Sequence, residues 1–520
     1  MITRRPLIAA LAFAPMAVAP IQVLASSTLR RRTKAQAIDD FARRALAELA
    51  TVPGLSLAVV QGREVVMAAG YGVADLATGR PAHADTAFYI ASSTKAFTAL
   101  AIAAIAARGT FALDAPLSRW IGDSPFPADL AASVSLSDLL CHRSGLENQP
   151  IAHRAAFTGE HTPAAMSALL RSTIRSKDTP HGVFRYTNTG YNLATTLIED
   201  RFGLDWRDMV DREVLRPAGM ARTTARIDAA RRRKGVALGH TPAADGRIAP
   251  SPLQKTDATM QSAGGLVSTA REMARWLEIQ LNDGVLEGRR LFPEGLVAST
   301  HRPLVPQQAK FGPYVRDGYG LGWQTGRYGE QPLIHHFGNF AGARAHVSLM
   351  PARGVGVAVM ANEDALAGEV TDLVANYVYD CLAGRVDLET VYENELSALK
   401  DRVARRRASL TASRAERAAR PWSLSRATAD YLGAYHNPQM GRLDIVEANA
   451  RLMVRAGAMA SPAEAGGQPE TLRVELVPLT GQVIRFVGDG ELILDGQTYV
   501  RRPAVPPLTM EIQRPRSMTP

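Results

Sequence analysis

Hydrophobic and polar positions change their period several times along this chain. Over residues 35–50 the apolar positions recur at helical spacing. Two short β-type runs follow, 55–60 and 64–74, separated by the turn Gln61-Gly62-Arg63. Residues 94–107 are alanine-rich and apolar on nearly every face, which predicts a buried helix. From about 115 to 300, helical pieces are broken by proline and glycine. Strand patterns return at 346–351 and 354–362, and a helix is predicted over 368–384. Strands drawn from both ends of one unit, with helices between them, predict an α+β fold on a mostly antiparallel sheet.

The pattern then shifts. Residues 401–420 are basic, alanine-rich and poor in large apolar side chains, as expected of a linker or an exposed helix. Residues 432–501 alternate apolar and polar positions over short runs divided by Gly and Asn turns, which predicts a small all-β unit, 421–505. A proline-rich tail, 506–520, has little to bury and is expected to be disordered. At the other end, residues 1–25 carry two arginines, then an alanine-rich apolar run, then small residues. That is the composition of an export signal, so the protein is expected to be periplasmic or secreted, with a first folded unit over 26–400.

Composition narrows the function classes. The 520 residues suit two or three domains. Past the first residues no apolar stretch reaches the ~20 residues of a membrane span. Of the 60 basic residues only seven are lysine, and the one dense arginine run has no aromatic before Trp422, so nucleic acid is not an expected partner. Cys141 and Cys381 stand far apart in apolar contexts and read as buried free thiols. No clustered metal-ligand spacing occurs, and neither a metal nor an organic cofactor is expected.

The candidate chemistry begins at Ser92 and Lys95. Three residues apart, they share one face if the serine opens a helix. A serine hydroxyl is a poor nucleophile until a base removes its proton, and a lysine amine can be that base once burial makes it neutral. A second such pair, Ser397 and Lys400, has Tyr435-His436-Asn437 after it, but no later histidine or lysine begins a strand triplet ending in glycine, and its surroundings are charged. Downstream of the first pair stand Tyr186 and Asn188 on one segment, then His335-His336-Phe337-Gly338-Asn339. A phenol can relay protons, and a glycine-bearing strand can offer a bare N–H beside the serine's own.

In that order, S-x-x-K, Y-x-N and H-x-G resemble the motifs of the serine β-lactamase and penicillin-recognising family, in the branch of class C β-lactamases, D-amino-acid-specific peptidases and esterases. Leu139-Leu140-Cys141-His142-Arg143-Ser144-Gly145-Leu146, Ala263-Gly264-Gly265-Leu266 and Tyr319-Gly320-Leu321-Gly322-Trp323 are similar to further family landmarks. The resemblance covers roughly 35–385 and implies an antiparallel sheet with flanking helices and a helical subdomain. The C-terminal unit resembles the lipocalin-like β-barrel appended to many of these hydrolases. Carried over, Ser92 is the acylated nucleophile, Lys95 its general base and Tyr186 the second acid/base. Asn188 holds Lys95 and the substrate carbonyl, His336 takes the place of the third-motif cation, and the Ser92 and Asn339 backbone N–H groups form the oxyanion hole. Gly338 and Arg344 are candidate substrate-binding residues, Arg344 as a cation for a substrate carboxylate.

One departure bears on the substrate. Many members have Lys-Thr-Gly where this chain has His336-Phe337-Gly338, and a phenylalanine supplies no hydroxyl to grip an antibiotic's carboxylate. The expectation is therefore an exported serine hydrolase of small amides, esters or D-amino-acid peptides. A class C-like β-lactamase is the alternative within the class; a penicillin-binding sensor that acylates without turnover is the alternative outside it. The oligomeric state is left open.

Overall fold

The computed structural model describes the backbone of residues 19–502, with side chains from residue 34. The expected leader, 1–25, and tail, 506–520, lie outside the residues whose side chains are described. Among the described residues no helix is long and apolar enough to cross a membrane.

A nine-stranded antiparallel sheet forms the frame. Its strands are β1 (Gly54–Gln61), β2 (Glu64–Asp75), β3 (Arg80–Pro81), β4 (Val305–Phe311), β5 (Tyr314–Tyr319), β6 (Gln324–Tyr328), β7 (Gln331–Phe340), β8 (Ala343–Met350) and β9 (Val355–Ala361). Their order is β4-β5-β6-β7-β8-β9-β1-β2-β3, so the two ends of the unit meet where Leu57 pairs with Val359. Strand alternation divides the core. Leu55, Leu57 and Val59 of β1 join a cluster with Phe41 and Val374 behind the sheet, while Ala58 and Val60 face Trp276 and the large cluster in front. Each fully buried Leu or Val contributes roughly 1.5–3 kcal/mol, so a one-residue slip of β1 would forfeit both cores.

Six helices carry the rest of the argument: α1 (Ala19–Leu49), α2 (Thr94–Ala106), α3 (Thr189–Phe202), α4 (Ala270–Leu281), α5 (Val370–Ala383) and α6 (Leu388–Ala418). Helices α1 and α5 pack behind the sheet, α2 and α4 in front. Between β3 and β4 the chain builds the helical region anticipated for 115–300. Helix α2 is buried on nearly every face from Thr94 to Ile105, because other elements of that region surround it.

The 401–420 segment is not a linker but the second half of α6. Apolar side chains there are few, yet Val403 is buried, Arg406 binds Glu369, and Arg414 donates to the carbonyls of Pro242 and Ala243. Arginine stems and directed N–H groups do the packing that large apolar residues do elsewhere.

Beyond α6 lies a second nine-stranded antiparallel sheet: β10 (Gly433–Asn437), β11 (Gly441–Ala448), β12 (Arg451–Ala456), β13 (Met459–Pro462), β14 (Glu464–Ala465), β15 (Thr471–Val474), β16 (Gln482–Phe486), β17 (Glu491–Leu494) and β18 (Gln497–Arg502). The order is β13-β12-β11-β10-β18-β17-β16-β15-β14. Its two edge strands, β13 and β14, follow one another in sequence across Ala463, so the sheet curls into a nearly closed barrel around Tyr435, Leu443, Ile445, Ile484 and Leu492. Closure leaves few unpaired edges.

Candidate active site

Ser92 does not open an α-helix; it sits in the 3-10 turn Ala91–Ser93 that leads into α2. Ala91 has φ +43°, a conformation that costs an L-residue energy and is held only by its surroundings. Two contacts hold it against β7. The Ser93 hydroxyl donates to the His336 carbonyl at 2.9 Å, and a Cβ on Gly338 would lie 2.1 Å from the Ile90 carbonyl oxygen. Only glycine lets the strand run this close to the turn. On the other side Gly322, at φ +84°, packs against α2, where a Cβ would stand 2.6 Å from the Ala96 Cα.

Lys95, the second residue of α2, is fully buried. Its Nζ is 3.2 Å from Ser92 Oγ, 2.8 Å from Asn188 Oδ1 and 2.8 Å from the Ala263 carbonyl oxygen. Burial holds its pKa well below the ordinary lysine value. A neutral amine has two N–H bonds and one lone pair. Asn188 Oδ1 and Ala263 O can only accept, so they take both hydrogens and leave the lone pair for the Ser92 hydroxyl.

Tyr186 completes the cluster. Its ring centre lies 4.8 Å from Lys95 Nζ, and its hydroxyl faces Ser92. The residue as a whole is 41% exposed. Burial raises the phenol's pKa above its ordinary value, the Ser92 hydroxyl opposing in part, so the phenol stays protonated at neutral pH. Asn188 stands at the start of α3, which fixes its carboxamide over Lys95.

His336 projects from β7 on the same side of the sheet. Its Nδ1 is 2.9 Å from the Phe337 carbonyl oxygen and its Nε2 3.1 Å from the Tyr319 hydroxyl. A carbonyl cannot donate, so Nδ1 carries the hydrogen and Nε2 accepts from Tyr319. Burial lowers the imidazole's pKa well below its ordinary value. The third-motif position therefore holds a neutral ring. Phe337 alternates to the back of the sheet, its ring 4.5 Å from that of His346.

Ser92, Lys95, Tyr186, Asn188 and His336 thus converge, with Gly338 and Asn339 on the strand beside the turn. Arg344 does not join them. On β8 it points behind the sheet, where its guanidinium donates to Asp372 of α5 at 3.0 Å. It is the ion-pair partner of a helix, and its expected part in substrate binding is withdrawn. Ser397 and Lys400 lie on the exposed side of α6, with Lys400 paired to Glu48 at 2.9 Å. Both cysteines are free and buried.

Sequence reasoning gave no role to two contributors, Ala263 and Tyr319, and took His142 as scaffolding of its loop. Ala263 supplies a backbone carbonyl, which no side-chain pattern reveals. Tyr319, the first residue of the Tyr-Gly-Leu-Gly-Trp landmark, sets the His336 tautomer. His142 is buried with its ring 4.6 Å from Tyr186 and 4.7 Å from Tyr319, and its Nδ1 accepts from the Thr187 N–H. It steadies the loop that carries Tyr186. The landmark around Leu139 to Leu146 was the available signal.

Residues 42–377 match the family model described as Beta-lactamase. The unguisins hydrolase ungD of Aspergillus violaceofuscus is 26% identical over 342 residues, 60% of this chain; the chain spans 58% of that relative's length. Among solved structures, the D-amino acid amidase of Ochrobactrum anthropi SV3 superposes with a TM-score of 0.56 at 25% identity, covering 68% of this chain and 99% of its own. The octameric penicillin-binding protein homologue of Pyrococcus abyssi superposes with a TM-score of 0.57 at 21% identity over 90% of this chain and 99% of its own, a likeness of fold. With the fold, the family model and these neighbours in agreement, the chain belongs to the Beta-lactamase family of serine hydrolases.

Proposed function

We propose that this protein is an exported hydrolase that cleaves small amides or esters, above all peptides and amides of D-amino acids, through an acyl-enzyme on Ser92. One observation carries this: a fully buried lysine amine held 2.8 Å from two fixed acceptors, Asn188 Oδ1 and the Ala263 carbonyl, and 3.2 Å from the serine hydroxyl. Lys95 draws the proton from Ser92 Oγ, and the oxygen attacks the substrate carbonyl. The Ser92 and Asn339 N–H groups receive the developing oxyanion. Tyr186 passes a proton to the leaving amine or alcohol, whose bond to the acyl carbon breaks. A water then enters, gives up a proton to the Lys95–Tyr186 pair and releases the acid.

The likeness to a D-amino acid amidase supports that substrate class, and the leader-like composition of residues 1–25 supports export. A neutral His336 and a Phe337 turned behind the sheet offer no grip for an antibiotic's carboxylate, which argues against rapid β-lactam turnover. The test is intact-mass measurement after a fluorophosphonate, beside turnover of D-amino acid amides and nitrophenyl esters. Wild type should gain one adduct and turn these substrates over; Ser92→Ala should do neither. Full turnover by Ser92→Ala would overturn the mechanism, and stable penicillin adducts with no hydrolysis of any substrate would mark a sensor instead.

A further inference from the structure

Next to the catalytic cluster lies a chamber of about 690 Å³ that no single unit of the chain encloses. Thr187 and Phe340 form its catalytic side; Met459, Val477, Gln482 and Asp495 of the barrel form the opposite wall. Thr187 stands between Tyr186 and Asn188. Phe340 is two residues past Gly338, so strand alternation puts it on the same face as His336. A substrate seated on Ser92 has this chamber as its neighbouring space, and the volume falls within the range of ordinary small-molecule pockets.

The barrel is fastened in that position. The Ala458 N–H donates to the Thr158 carbonyl at 2.9 Å, Gln439 Nε2 to Ser172 Oγ at 3.0 Å, and Gln497 Nε2 to Gln149 Oε1 at 3.1 Å. Leu253 is buried in the barrel's core, with Phe157 and Phe340 packed against it. Beneath, the buried Lys255 ammonium lies 4.0 Å from the centre of the Phe340 ring and donates to the Ala156 and Thr259 carbonyls.

The wall chemistry selects the occupant. Phe157, Phe340, Met459 and Val477 are apolar, and Gln149, Thr480 and Gln482 offer neutral amide and hydroxyl groups. Of the charged residues, Arg185 is bonded to Glu147, and Asp495 is exposed to solvent at the barrel rim. A large uncharged side chain fits the middle, and a peptide backbone fits the rim.

Building on the acyl-enzyme mechanism above, we infer that the barrel forms half of the substrate pocket and confers a preference for a bulky apolar group beside the scissile bond. Val477 is half-buried and Thr480 exposed, both between β15 and β16, so each tolerates a larger residue. Val477→Trp and Thr480→Trp should fill the chamber and leave Ser92 untouched. The measurements are fluorophosphonate labelling of Ser92 and kcat/KM for two size pairs: D-alaninamide against D-phenylalaninamide, and nitrophenyl acetate against nitrophenyl octanoate. Labelling and the small substrates should stay within about twofold of wild type, and the large member of at least one pair should fall about tenfold or more. Normal labelling with an unmoved size preference, or an equal fall for large and small substrates, overturns this inference alone. Failure of wild type to label at Ser92 overturns the mechanism and the inference together.

Discussion

Lys95 is the residue on which the chemistry turns, and its environment makes two outcomes measurable. Arginine cannot give up its proton, so Lys95→Arg should slow fluorophosphonate labelling of Ser92 by roughly 100- to 10,000-fold, the span typical of a lost general base. Burial lowers the Lys95 pKa, so its neutral, competent form is lost as pH falls through that lowered value and persists as pH rises. The labelling rate should therefore climb to a plateau and hold it on the alkaline side, where the raised Tyr186 pKa keeps the phenol protonated. A rate that rises only above the ordinary lysine pKa, ~10.4, would show that the amine is charged in the folded protein. The site's aromatic rings work at this scale too: those of Tyr186 and Tyr191, centred 4.8 and 5.6 Å from the amine, border it with low-polarity surface.

Between elements, the decisive contact is β7 against the Ser92 turn. Gly338→Ala would drive a methyl into the Ile90 carbonyl, and the strand must move away. Overpacking of this kind costs about 1–3 kcal/mol, and labelling should fall at least about 100-fold; circular dichroism should show the fold retained. Behind the same sheet, β8 and α5 carry an arrangement easily mistaken for a second site. His346 Nδ1 is 2.8 Å from Asp372 and its Nε2 2.7 Å from Ser348 Oγ, so serine, histidine and aspartate stand in relay order. All three are buried, and Ser348 also meets the Tyr379 hydroxyl at 2.7 Å, which leaves no approach for a substrate. The network is structural. Ser348→Ala should leave turnover unchanged, whereas Asp372→Asn, which strips the charged partner from Arg344, whose side chain is 12% exposed, should cost about 3–5 kcal/mol in urea unfolding. Burial opposes ionisation of Asp372, but His346 and Arg344 outweigh it and hold its pKa below the ordinary value. Its stabilising contribution is thus complete above the ordinary carboxylate pKa and lost as pH falls through the lowered one.

At the scale of the molecule, α6 packs on the first unit through Tyr392, Leu396, Leu399 and Val403 and reaches the barrel by ion pairs. Arg417, 11% exposed, bonds Glu464 at 2.9 Å and lies 3.7 Å from Glu475, both in the barrel. Arg417→Ala leaves those carboxylates without this partner and should cost about 1–3 kcal/mol, read as easier proteolysis of the barrel with Ser92 labelling intact at 25 °C. The arginine excess has a similar use elsewhere: Arg143 ties Asp138 to the Leu304 carbonyl, and Arg406 ties α6 to Glu369. Charge that reads as a basic surface in sequence is here largely directed hydrogen bonding.

Local pattern by itself determined the strands β1, β2, β8 and β9, the buried helix α2, the all-β character of the last unit and the order of the three motifs. These are set by neighbours a few residues apart, through side-chain alternation, helical spacing and turn residues. For 401–420 the sequence left linker and exposed helix both open, because arginines replace the apolar stripe that marks a packed helix. Arg344 was misplaced because a two-residue count along the chain does not say which side of a strand faces a serine 250 positions away. The long-range facts were decided by tertiary structure: the Ala263 carbonyl beside Lys95, the neutral state of His336, and the barrel wall across from Phe340. Each depends on surfaces that meet only after the sheet closes, and on the desolvation that closure imposes.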